Sequence, residues 1–367
     1  MLVLSSVKTV YLFTPKYPPS RGGASTFYSN MISTTNDRVN YFVVTEHHSN
    51  EPTVSRQENA SIYRILPQNS LIPSYFRVLL EVILLLIVSA YVIIREDIDI
   101  IHTHASSFSV ISLAVVSMVF RVPLAYDCQD EAFRPWIVRM GYRPVWFSCA
   151  SNIDEILMRN SVPEDRIIRL PVVSPEYVRK YREISEPEKI SNILYIGSVR
   201  EAKGIFCLLE AFEIIRERGF DLRLTIIGDG PDRDELEERC VEAGLSKYVT
   251  FTGSLSHTET MRRLAESDIL VLPSKSEGLS RVVLEAQDVG TPVVATAVGG
   301  IPDAISHEEN GMLAAQTNES VAENVIRLIH DDILYQTLVE NGIKSADERS
   351  WALVETRLFT GYEKILA

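Results

Sequence analysis

The stretch Pro273-Ser274-Lys275-Ser276-Glu277-Gly278-Leu279-Ser280-Arg281-Val282-Val283-Leu284-Glu285-Ala286 follows the apolar run Ile269–Leu272. A short apolar run closed by Pro-Ser reads as a buried strand. Ser280, ahead of Val282, Val283 and Ala286, reads as the N-cap of a helix. Glu277 then lies in a strand-to-helix turn. In a doubly wound sheet such turns open beyond the carboxyl ends of the strands, where ligands bind. The Gly278 and Leu279 amides come just before the helix, and free N–H groups with the helix dipole suit an anion such as a diphosphate. Glu285 falls more than a turn further on, where a carboxylate can accept hydrogen bonds from two adjacent ribose hydroxyls. By spacing alone, an acidic loop and a solvated helical glutamate remain the plainer reading.

The same strand-then-helix rhythm runs outward in both directions. Upstream, β-rich runs occur at Thr9–Phe13, Tyr41–Thr45, Ile98–Thr103, Pro123–Cys128, Trp146–Cys149 and Ile167–Leu170, with helical segments at Ser107–Val119 and Asn152–Arg159. Around the opening stretch, strands are predicted at Ile193–Ile196, Leu222–Ile227, Val249–Phe251 and Val293–Thr296. Helices are predicted at Gly204–Arg218, Asp232–Ala243, Thr258–Glu266 and Ser280–Asp288. Two such arrays predict an α/β chain of two Rossmann-like, doubly wound domains facing each other across a cleft. The predicted boundaries are 1–171 for the first domain, 172–190 for a proline-containing linker and 191–351 for the second. A C-terminal helix at about 352–367 is expected to pack back on the first domain.

Three further turns carry candidate chemistry. Gly197-Ser198-Val199-Arg200-Glu201-Ala202-Lys203-Gly204 follows a strand and opens a helix, so Arg200 and Lys203 can both reach a diphosphate there. Gly228-Asp229-Gly230-Pro231 is a glycine-rich turn without the full dinucleotide fingerprint. Gly22 and Gly23 precede the first helix and permit close backbone approach to a ligand. His102 and His104 flank one strand end. They are expected to alternate in direction, so that one of them faces the cleft, with His104 nearer the loop.

Composition bounds the partners. With 46% hydrophobic and 23% charged residues the chain is globular, and a net charge of −13 argues against nucleic acid. Residues 1–180 hold 17 basic and 16 acidic side chains, against 19 and 33 in the rest. The first half can therefore meet an anionic surface that repels the second. Val78–Ile94 is nearly all apolar, shorter than a span and interrupted by Glu81, which predicts a buried or membrane-facing helix. Residues Phe133–Phe147 interleave Arg134, Arg139 and Arg143 with aromatic side chains, so peripheral membrane contact through the first domain is expected. Cys128, Cys149, Cys207 and Cys240 form no close pair and no Cys/His cluster. They read as reduced thiols of a cytoplasmic protein, without metal or cofactor. The apolar N-terminal run lacks a basic flank and is not read as a signal peptide.

Taken in order, these segments resemble the GT4-type family of GT-B glycosyltransferases (glycosyltransferase group 1) over nearly the whole chain. The strongest part runs from Ser276 to Gly300, where two glutamates seven residues apart are followed by Gly290-Thr291-Pro292-Val293-Val294-Ala295 and Gly299-Gly300. Ile227-Gly228-Asp229-Gly230-Pro231, Lys203-Gly204, Gly22-Gly23 and Ile100-Ile101-His102-Thr103-His104 support it. The resemblance implies a retaining, metal-independent transferase. It would move a sugar from a nucleoside-diphosphate sugar, a substrate and not a cofactor, to a glycan or lipid-linked acceptor in cell-surface glycan or glycolipid synthesis at the cytoplasmic face. It puts Glu277 near the anomeric centre, Glu285 on the ribose, and Lys203 with the Gly278 and Leu279 amides on the diphosphate.

This chain departs from the family pattern at three places. Ser198 stands where the family often has arginine, and Arg200 is the replacement two residues on. Gln129 stands in a segment where the family often has histidine. It can donate to and accept from a sugar hydroxyl but cannot change charge. Pro171-Val172-Val173-Ser174 replaces an Asn-Gly turn, which bears on hinge geometry. Two other readings fit less of the pattern: a nucleotide-sugar epimerase of the same fold, and a catalytically silent nucleotide-binding subunit.

Overall fold

The computed structural model describes residues 7–20, 23–35, 37–47, 51–57, 59–66, 74–105, 110–129, 136, 139–182 and 189–367. The chain divides into two compact units, Met1–Val172 with Ser350–Ala367, and Val173–Arg349.

Unit 1 runs β1 (Lys8–Phe13), α1 (Gly23–Thr34), β2 (Val39–Glu46), β3 (Val54–Gln57), β4 (Ala60–Leu66), α2 (Ser74–Arg95), β5 (Ile100–His104), α3 (Val110–Phe120), β6 (Leu124–Cys128), β7 (Val145–Ser148), α4 (Ser151–Arg159) and β8 (Ile167–Arg169). These strands form one sheet in the order β3-β4-β2-β1-β5-β6-β7-β8. The pairs are parallel except β3 with β4, which is antiparallel. Strands β5, β6 and β7 are buried at every residue, as the middle of a parallel sheet covered on both faces requires. The β3–β4 hairpin was not in the sequence reading. Val54-Ser55-Arg56-Gln57 is a mostly exposed edge strand, so burial imposes no apolar alternation on it.

Unit 2 runs β9 (Asn192–Ile196), α5 (Ile205–Glu217), β10 (Arg223–Ile227), α6 (Arg233–Glu242), β11 (Val249–Gly253), α7 (His257–Ala265), β12 (Ile269–Leu272), α8 (Arg281–Val289), β13 (Val293–Thr296), α9 (Ile301–Ala304), β14 (Met312–Ala314), α10 (Asn318–His330) and α11 (Asp332–Glu348). Its sheet is parallel throughout, in the order β11-β10-β9-β12-β13-β14. Sequence order reverses at β9, which sits between β10 and β12. That reversal is where ligands bind in such sheets. The last helix, α12 (Trp351–Leu366), belongs to unit 1. Its Tyr362 is fully buried and its hydroxyl lies 2.7 Å from His102 Nδ1 on β5.

Part of the segment read as linker is instead structured within unit 2. Glu176–Tyr181 forms a short 3-10 helix. Val178 is fully buried, and the Arg179 guanidinium donates to Asp288 at 3.1 Å and to the Ala346 carbonyl at 2.7 Å. The prolines of this segment mark turns, but buried anchors follow them closely. Residues 183–188 lie outside the described residues.

Candidate active site

In unit 2 the turns after β9, β10, β12 and β13 come together at the carboxyl edge of the sheet. Glycines allow the approach. Gly204 has φ +68°, and a Cβ there would sit 1.7 Å from the Pro273 carbonyl oxygen. Gly299 has φ +53°, and a Cβ there would sit 1.6 Å from the Glu277 carbonyl oxygen. Any side chain at either position would separate the Lys203 turn or the Gly300 turn from the Glu277 turn.

Within this nest the Lys203 ammonium donates to Glu277 Oε1 at 2.8 Å, and the Ser274 hydroxyl donates to the same oxygen at 2.8 Å. The Lys275 amide donates to the Ala202 carbonyl at 3.0 Å, and its ammonium donates to Glu201 at 2.6 Å, which fastens the two turns. A cavity of about 280 Å³ opens here, lined by Lys203, Ser274, Glu277, Leu279, Ser280 and Arg281 among others. Ser280 is the N-cap of α8, but its hydroxyl makes no capping bond.

The family described as "Glycosyl transferases group 1" matches residues 178–345, a span that contains the whole Lys203–Glu277 nest. Residues 178–345 thus match the group 1 glycosyl transferases. A D-inositol 3-phosphate glycosyltransferase of Paenarthrobacter aurescens is 33% identical over 266 residues, 64% of this chain and 65% of that protein. The chain spans about half to two thirds of the first curated relatives it matches: 45%, 51% and 65% of their lengths. Among solved structures, sucrose-phosphate synthase from Thermosynechococcus elongatus superposes with a TM-score of 0.79 at 18% identity, covering 97% of this chain and 98% of that one. HepE from Anabaena, solved with UDP and glucose, gives 0.72 at 17% identity, covering 96% and 98%. At such identities the likeness establishes the fold, which is GT-B.

The other residues singled out fall in three places. Arg200 is exposed and donates to the Ser198 hydroxyl at 3.0 Å, so the replacement cation and the departing position touch in one turn. Glu285 is not among the cavity-lining residues. It is buried on α8, with Oε1 2.9 Å from His257 Nε2, and His257 Nδ1 lies 2.7 Å from the Tyr177 hydroxyl. Sequence reasoning missed both His257 and Tyr177. Their only signal is position, at the first residue of α7 and on the short helix after β8.

In unit 1, Gln129 Nε2 donates to Asp127 Oδ2 at 2.8 Å, and the Tyr28 hydroxyl donates to the same oxygen at 2.6 Å. Burial and the adjacent Asp127 carboxylate hold the Tyr28 phenol well above its ordinary pKa, so it stays a donor. His104, at the end of β5, is the register partner of Asp127 on β6. This brings His104, Asp127 and Gln129 to one end of the sheet. Asp127 is a buried carboxylate that the sequence reading passed over. The expectation that His102 and His104 alternate is corrected. Both rings meet Tyr28 edge-on at 6.2 Å, because residues two apart on a strand share a face. His102 is fully buried, and burial, with His104 adding to it, lowers its pKa to about 3.

Gly23 begins α1, while Gly22 lies outside the described residues. Among the described residues no three His, Cys, Asp or Glu side chains are grouped to hold a metal ion.

Proposed function

We propose that this chain transfers a sugar from a nucleoside-diphosphate sugar to an acceptor hydroxyl, with retention at the anomeric carbon and without a metal ion. The observation that carries the reading is the Lys203–Glu277–Ser274 contact at a cavity below the uncapped start of α8. A diphosphate seated there would meet Lys203, Arg200 and the Gly278 and Leu279 amides. Glu277 would orient the sugar beside it. As the bond from the anomeric carbon to the diphosphate oxygen breaks, the acceptor oxygen bonds to the same face of that carbon. The acceptor proton passes to an oxygen of the departing diphosphate. Lys203 and Arg200 oppose the charge that grows on that group, the kind of stabilisation that is usually largest in such transfers. We assign the acceptor side to Gln129 and His104, and a donor contact to the Gly22–Gly23 turn.

The UDP and glucose held by the Anabaena neighbour make UDP-glucose the first donor to test. A donor at 100 times its Kd should add about 2.7 kcal/mol of stability, so a thermal-shift screen of nucleotide sugars finds the donor. Proton NMR of the product then reads the anomeric configuration. An inverted product refutes retention. Binding without turnover on any acceptor tried refutes transfer. Turnover lost in EDTA and restored by Mg²⁺ or Mn²⁺ refutes metal independence.

A further inference from the structure

Helix α2 is apolar on its outer side as well as its inner one, which a helix covering the sheet of a water-facing domain does not need. Its inner side is anchored: Leu85 and Ser89 are fully buried, and the Ser89 hydroxyl donates to Tyr11 at 2.8 Å. Its outer side carries Phe76, Leu80, Ile83, Ile87, Tyr91 and Ile94, all exposed, with Ile94 at 70%. The steps between them are four, three, four, four and three residues, which draws one line down the helix. Glu81 lies about 200° round the helix from Ile83 at 100° per residue, so its charge does not interrupt the ridge. Only 17% of Val78–Arg95 is buried. At 1.5 Å per residue the 22-residue helix is about 33 Å long.

The ridge continues onto α3, which packs beside α2 and exposes Met118, Val119 and Phe120 at its end. Arginines gather at this end. Arg95 closes α2 and Arg121 follows α3, both exposed. The Tyr142 amide donates to Ser117 at 2.9 Å, which brings exposed Arg139 and Arg143 alongside the last turn of α3. Glu96 and Asp97 are exposed there too, and Asp99 is paired with Lys8 at 3.5 Å. The cations outnumber the acids. Phe133, Arg134, Pro135, Ile137 and Val138, also expected in this patch, lie outside the described residues.

We propose that the α2–α3 face docks unit 1 on an anionic lipid bilayer, with α2 lying in the plane of the interface. An apolar ridge with a cluster of cations at one end matches acyl chains below and anionic headgroups above. The excess acidic charge, by contrast, lies in the second half of the sequence. The inference stands apart from the reading of the active site. A docked chain would find its acceptor carried on lipid.

Flotation of the full chain with vesicles tests it. The wild type should float with phosphatidylglycerol-containing vesicles at low salt and far less with phosphatidylcholine alone. The triple variant Ile83→Gln, Ile87→Gln, Tyr91→Gln should partition at least tenfold less while keeping the wild-type circular dichroism and melting temperature. Replacing Arg121, Arg139 and Arg143 by Ser should cost about fivefold each at low salt and abolish the preference for anionic lipid. The idea fails if the wild type stays soluble with anionic vesicles, or if the Gln variant floats equally well. A soluble dimer that dissociates in the Gln variant would replace the bilayer with a second copy. Retention on vesicles through a pH 11 wash would replace docking with a span.

Discussion

The Lys203 ammonium donates to Glu277 Oε1 at 2.8 Å across 74 residues of chain. The cation assigned to the diphosphate and the carboxylate assigned to the sugar are therefore one ion pair. Both are part-exposed, at 32% and 15% of the side chain, so the pair is accessible to a ligand. A group that meets charge only as the donor bond breaks should affect turnover more than ground-state binding. Lys203→Ala should lower kcat/KM about a hundredfold, mostly in kcat, by analogy with loss of one transition-state donor. Arg200→Ala should act in the same direction. Steady-state kinetics with donor varied checks both. Loss confined to donor affinity, with kcat intact, would refute the assignment. If only Lys203 matters, Arg200 does not replace the family arginine.

Gly204 joins that site to stability. Its φ of +68° and the 1.7 Å approach of a Cβ to the Pro273 oxygen leave no room for alanine. Gly204→Ala should destabilise unit 2 by ~2 kcal/mol or more, since a strained backbone and a steric clash both oppose it. Gly219, also at positive φ but with nothing near its Cβ, is the control, and Gly219→Ala should cost less. Urea unfolding of both variants measures the difference. Equal midpoints would show that the Pro273 contact yields freely.

How much of this was legible in the sequence follows from range. Both βαβ arrays and the Glu277 turn could be read, because strand period, helix period and turn residues are local signals. Strand β3 is not legible because a polar edge strand is not held to an apolar pattern, whereas β4 alternates buried and part-exposed residues and does carry the strand period. The Tyr28–Asp127–Gln129 contact spans 99 residues between Tyr28 and Asp127, and no spacing rule reaches that far. The Glu285–His257 contact was hidden for the same reason. His102 and His104 are visible as residues, and their shared face follows from period two, which puts residues two apart on one side of a strand.

His102 gives a pH dependence with a definite sign. Burial lowers its folded pKa from 6.5 to about 3. Between those values the unfolded chain binds the proton and the folded chain does not, so stability rises with pH across that window and falls as pH drops through it. The slope from this one group should approach ~1.4 kcal/mol per pH unit in mid-window, a few kcal/mol at most in total. Urea unfolding at pH 7, 6, 5 and 4 measures it. His102→Asn should lower stability at pH 7, through lost packing and its bond to Tyr362, yet flatten the profile between pH 6 and 4. An unchanged slope would show that other groups set the acid sensitivity.

His257 holds Glu285 by one oxygen and is itself held by Tyr177, at 2.9 Å and 2.7 Å. If Tyr177 donates to Nδ1, Nε2 carries the hydrogen that meets the carboxylate. The other Glu285 oxygen then remains for a ribose hydroxyl, which makes His257 a positioning residue. Glu285→Ala should weaken binding of the nucleoside diphosphate itself, since the contact does not involve the sugar. Hydrogen bonds to charged groups contribute about 1.5–3 kcal/mol, so His257→Leu should raise donor KM roughly tenfold with kcat little changed. His257→Gln keeps an N–H donor at similar reach and should recover much of the loss, while Tyr177→Phe should fall between wild type and His257→Leu. Calorimetry with the nucleoside diphosphate and kinetics with varied donor distinguish the parts. Unchanged affinity in Glu285→Ala removes the ribose assignment. If His257→Leu instead lowers kcat at constant donor KM, with no rescue by Gln, His257 acts on the reaction by a route other than Glu285.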